Sequence, residues 1–147
     1  MRIAVVGPMP PTRGGIAQHT ANVVEALRDA GHEVLVEAWK KQYPSLLYRR
    51  PETVDGPGDA VPDHERRLAW WNPLSWLGAR RRIARFEPDT LWITWVTPFH
   101  ALPIRSLLAS STARTVVHVH NAVPHEPMPF SRGLTRWGLS GADAFLV

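Results

Sequence analysis

Two short stretches of this chain concentrate residue types that can hold an anion or handle a proton. The first is Gly14-Gly15, directly ahead of Ile16-Ala17-Gln18-His19. A glycine pair where a helix begins leaves backbone N–H groups and the positive end of the helix open to an anion, most commonly phosphate. The same pair also suits a tight turn into a helix. Arg13, Gln18 and His19 flank it as candidate cleft residues, with His19 one turn into the helix and close to its buried stripe. The loop is not a P-loop, because no Gly-Lys-Ser/Thr follows, and Gly7 and Gly14 stand too far apart for the dinucleotide fingerprint. Glu37 occupies the place of a ribose-binding acid, and without that fingerprint it is set aside.

The second stretch is Val116-Val117-His118-Val119-His120-Asn121, followed by Pro124-His125-Glu126. Strand alternation puts His118 and His120 on one face. His120 falls where the strand gives way to a loop; His118 is deeper and reads as structural. His120, His125 and Glu126 could supply metal ligands, but the helical H-E-x-x-H spacing is missing. The preferred reading is a polar rim without metal. There His120 contacts a hydroxyl-bearing substrate, and Asn121, His125 and Glu126 shape the loop.

A third stretch, residues 66–86, interleaves tryptophan and arginine. On a helical wheel Trp76, Ala79, Ile83 and Phe86 share a face, with Arg81, Arg82 and Arg85 opposite. An ordinary outer helix with a solvated basic side explains this. A surface for anionic lipid headgroups, anchored by Trp70, Trp71 and Trp76, explains it too.

The elements that must position these residues alternate regularly. Residues 2–7 form an apolar strand buried on both faces. A helix over 16–30 carries Ile16, Thr20, Val23, Val24 and Leu27 on one stripe, and Gly31 sits where a left-handed residue ends it. A second strand spans 32–38, and a Pro/Gly-rich loop runs from 39 to 63. Asn72-Pro73 reads as an N-cap and first-turn proline for a helix over 74–86. A third strand (89–95), a helix near Pro103, a fourth strand (114–120), a loop (121–129) and a helix through Leu134, Trp137 and Leu139 follow. A fifth strand opens at 143 and reaches Val147. This alternation predicts an α/β, Rossmann-like three-layer domain with a mostly parallel sheet. Ligands in such sheets gather outside the carboxyl ends of the strands, so loops 8–15, 96–100 and 121–129 are where chemistry belongs.

The 147 residues suit one domain. There is no cysteine, which excludes disulfides and thiolate metal sites. No apolar run approaches bilayer length, and residues 3–6 are too short for a signal peptide core. A cytoplasmic location is expected, with peripheral attachment to the inner face of the membrane as its variant. The charge is +4, and fifteen of the seventeen basic residues are arginine, whose fork matches phosphate oxygens. No base-reading motif accompanies them, so nucleic acid is not an expected partner.

Taken together, the 2–7 strand, Gly14-Gly15-Ile16 with His19, residues 27–34, His120-Asn121 with Pro124-His125-Glu126, and the strand start at 141–147 resemble the N-terminal domain of family 4 glycosyltransferases. Those enzymes have the two-domain GT-B architecture. The resemblance implies retaining transfer from a nucleotide-sugar, without a cofactor or a bound metal. It implies Gly14 and Gly15 at the donor diphosphate and His120 beside the transferred sugar. The remaining residues shape a site for a glycan or lipid-linked acceptor, as in cell-envelope glycan synthesis. Ala17 stands where one subset of the family carries glutamine. The family's donor-binding domain has no counterpart in these residues, so the resemblance makes residues 1–147 an N-terminal piece, inactive alone and ending in its fifth strand. The rival expectations are one subunit of a split transferase and a non-catalytic membrane-surface module. A nicotinamide oxidoreductase comes last, for want of its glycine fingerprint.

Overall fold

The computed structural model describes residues 1–42, 66–120 and 130–147. Six strands form one sheet: β1 (Arg2–Gly7), β2 (Glu33–Lys41), β3 (Arg66–Ala69), β4 (Thr90–Trp95), β5 (Arg114–Val119) and β6 (Ala144–Leu146). Their spatial order is β3-β2-β1-β4-β5-β6, and every pairing is parallel. Four helices cover it: α1 (Gly15–Asp29), α2 (Pro73–Phe86), α3 (Ala101–Ser110) and α4 (Ser131–Leu139). This is the expected Rossmann-like α/β domain.

Alternation along each strand sorts the core into two layers. Ala4, Val6, Leu91, Ile93, Trp95, Val117 and Val119 face α2 and α3, packing on Ala79, Ile83, Ile104 and Leu107. Ile3, Val5, Val36 and Ala38 face the other way, onto Val24 of α1 and Met9. Among the described residues α1 is the only helix on that second face. Its buried stripe runs through Ala17, Thr20 and Val24, with Ile16, Val23 and Leu27 half-buried beside it. Gly31 ends α1 at φ 83°, and the His32 N–H donates to Leu27 O at 3.1 Å. That is the left-handed stop its position predicts.

Two boundaries differ from expectation. The second strand continues through Trp39 to Lys41, because Trp39 is an almost fully buried core residue rather than the start of a loop. Residues 43–65, most of the expected loop, lie outside the described residues. Arg66–Ala69 is a strand with no sequence signature, since it is four residues long and begins with two arginines. It docks on β2 through a register shift beside Trp39. The strand at 144–146 is therefore the sixth, not the fifth. It lies at the sheet edge with Phe145 and Leu146 about half exposed.

Asn72 caps α2 as predicted, its Oδ1 accepting from the Leu74 N–H at 3.1 Å, with Pro73 at the first turn. The amino edge of the sheet is tied by two aspartates. Asp89 Oδ2 accepts the Arg2 N–H at 2.8 Å, and Asp143 Oδ2 accepts both the Thr115 N–H and its hydroxyl at 2.7 Å. Those hydrogen bonds favour the ionised form and hold the Asp143 carboxyl below the usual aspartate range. No helix of the described residues is long and apolar enough to cross a membrane.

Candidate functional site

The strand order reverses direction between β1 and β4, the switch point outside whose strand carboxyl ends ligands of such sheets bind. Gly7 closes β1 at this point. A Cβ on it would lie 2.9 Å from Thr94 Oγ1 of β4 and 3.2 Å from Thr20 Cγ2 of α1. The missing side chain is what lets α1 settle over the switch point. The Thr20 hydroxyl meets that of Thr94 at 3.4 Å and donates to Ile16 O at 2.9 Å.

The chain reaches α1 through a loop anchored by the buried Met9, with the Thr12 N–H on Met9 O. Gly14 is the N-cap at φ 119°, a conformation that favours glycine, and no side chain among the described residues caps the helix. The first N–H groups of α1 are thus left for another acceptor. Gly15 has an ordinary backbone, and a Cβ on it would meet nothing within 4 Å. Packing among the described residues therefore does not explain why it is glycine. Arg13 and Gln18 are exposed, Gln18 donating to Asn22 Oδ1 at 3.0 Å.

His19 points from the first turn of α1 towards the end of β5. Its ring centroid lies 5.1 Å from that of His118 and 5.2 Å from that of His120, and the latter two are 4.1 Å apart. His118 and His120 do share a face, as alternation predicts, and it is the α1 face. His118, expected to be structural, reaches this rim and also meets Trp92 edge-on. Burial, and then the charge of the neighbouring rings, pushes both His118 and His120 below the ordinary imidazole value. Asn121, His125 and Glu126 lie outside the described residues.

A fourth histidine escaped sequence reading. His100, in the turn Pro98–His100 after β4, is fully buried, stacks on Trp39 at 4.0 Å and donates from Nε2 to Gln42 O at 3.1 Å. Burial lowers its pKa to about 3, against a smaller upward pull from that hydrogen bond. It ties the end of β2 to the β4 loop. Only the burial of Trp39 could have revealed it. Between the unfolded value of 6.5 and about 3, the unfolded chain binds the proton and the native one does not. Stability from neutral His100 is thus fully present above pH 6.5 and falls as the pH drops towards 3. Urea unfolding at a series of pH values should show a shallower acid loss in His100→Gln than in the parent. An identical slope would refute this assignment.

The tryptophan/arginine stretch divides. Trp76 is half-buried and donates from Nε1 to Ala69 O at 2.7 Å. Arg82 is not on a solvated face either. Its Nε and Nη2 donate to the two carboxylate oxygens of Glu37, the latter at 2.8 Å. Trp70 packs against Phe99 and Trp71, whereas Trp71 is half exposed under the Lys41 ammonium, and Arg81 and Arg85 are exposed. Glu37 itself is fully buried on the α2 side, away from the glycine loop, which rules out the ribose role.

The site thus pairs an uncapped helix start with two imidazoles leaving a neighbouring strand. A family model described as a glycosyl transferase 4-like domain matches residues 14–147. No curated protein matches the chain.

Proposed function

The chain belongs to the glycosyl transferase 4-like family, and from that premise we propose that it is the acceptor-side domain of a retaining, nucleotide-sugar-dependent transferase. The observation that carries this reading is the meeting of His19 and His120, with ring centroids 5.2 Å apart. It brings the open start of α1 and the exit of β5 to one rim. An anion held by the Gly14–Ala17 end of α1 therefore lies beside His120.

In this reading the N–H groups at Gly14 and Gly15 donate hydrogen bonds to the diphosphate of the sugar donor as its negative charge grows during glycosidic bond cleavage. The bare Cα of Gly15 leaves room for that oxyanion. His120 orients the acceptor hydroxyl or the donor sugar. It need not take the proton, because in retaining transfer the departing phosphate oxygen can accept it. Arg13, Gln18 and His19 line the acceptor side.

The direct test is a nitrogen–proton correlation spectrum of the metal-free chain titrated with uridine and guanosine diphosphates. Saturable shifts confined to the amides of residues 14–19 are expected. Shifts elsewhere, or none at millimolar ligand, would sink the diphosphate assignment.

A further inference from the structure

Three histidines from two elements converge where α1 begins and β5 ends. His19, His118 and His120 each offer a ring nitrogen, and these atoms all lie within 4.8 Å of one another. The rings meet edge-on or tilted, not face to face. Two nitrogens are shielded from solvent, His118 Nδ1 and His120 Nε2, and no group among the described residues hydrogen-bonds either one. Shielded polar atoms are nearly always satisfied, and each exception asks for its partner.

We propose that His19, His118 and His120 form a three-imidazole site for a divalent transition-metal cation, of which zinc is the type. The donor set selects the class. Imidazole nitrogen suits zinc, nickel, copper and iron, whereas magnesium and calcium need oxygen ligands, and the described residues bring none to the cluster. Three histidines with a fourth position open is a known composition for zinc.

The geometry needs little adjustment. Zinc–nitrogen bonds of about 2.0–2.1 Å in a tetrahedron place the nitrogens about 3.3 Å apart. His118 and His120 are held two residues apart at the end of β5, where the His120 N–H continues the ladder onto Trp95 O. His19 is exposed on the first turn of α1 and can swing to close the third side. The site is thus a fixed pair and one mobile arm.

The inference needs neither donor nor acceptor, so it goes beyond the transfer reading while sharing His120 with it.

The experiment uses the full chain without an affinity tag, stripped with chelator and titrated with cobalt(II) while visible absorption is followed. Zinc(II) is then added to displace the cobalt. One equivalent of cobalt should bind with the intense bands of tetrahedral coordination, and zinc should abolish them. His19→Gln, which changes an exposed residue and leaves the core untouched, should weaken binding by about tenfold or more. His32→Gln, remote from the cluster, should bind like the parent. Absence of saturable one-equivalent uptake, or uptake unchanged in His19→Gln, would overturn the site. Because the diphosphate titration is run without metal, failure of either proposal leaves the other standing.

Discussion

Replacing Arg82 by methionine is expected to lower folding stability by about 3–5 kcal/mol, the cost of stranding a buried carboxylate. Glu37 is fully buried on β2, between Leu35 and Trp39 of the larger core layer. Arg82 supplies the bidentate partner from α2, whereas Arg67 approaches no closer than 3.9 Å. Without Arg82 the carboxylate keeps, among the described residues, only that distant charge. The double substitution Glu37→Leu with Arg82→Met should recover most of the loss, because the penalty belongs to the unpaired ion rather than to a missing attraction. Urea midpoints of the two single variants and the double variant measure it. A loss under about 1 kcal/mol in Arg82→Met would place the pair with ordinary surface bridges.

The largest expected effect on activity is at His120. In the active transferase, His120→Ala should reduce turnover by about a hundredfold or more, the range for removing a positioned polar group from a reacting centre. On the proposed reading, in which the diphosphate is held by the backbone at the start of α1, nucleoside diphosphate affinity should hardly change. The split between kcat and affinity is the informative readout. Equal turnover in parent and variant would remove His120 from the chemistry, and a matching loss of diphosphate affinity would reassign it to donor binding. His19→Ala is the companion: a much smaller fall is expected from a residue that lines the acceptor side.

Much of the frame was legible because its signals are local. Buried parallel strands announce themselves as apolar runs, and Gly31 and Asn72-Pro73 mark helix ends through backbone chemistry that needs no tertiary partner. Gly14 was legible as the start of α1 for the same reason. What escaped depends on distant partners. Arg66–Ala69 becomes a strand only because Trp39 and Lys41 of β2 offer it an edge. Arg82 looks solvated on a helical wheel until Glu37, far away in sequence, appears beneath it. His118 looked structural from its depth in the strand. Its meeting with His19 depends on the placement of α1, which follows from the tight contact of Gly7 with Thr20 and Thr94.

The unequal covering of the sheet has a thermodynamic consequence. Among the described residues one face is closed by α2 and α3, while α1 alone, over a small cluster of Ile3, Val5, Met9, Val24, Val36 and Ala38, closes the other. Lifting α1 exposes that cluster and leaves the larger layer intact, so α1 can open as a cooperative unit at less cost than the layer under α2 and α3. The rim, however, is built half on α1 and half on β5. A ligand bridging the two binds only the closed form, and its binding free energy is drawn partly into holding α1 down. Occupancy of the rim and protection of the α1 amides from exchange are then two readings of one equilibrium.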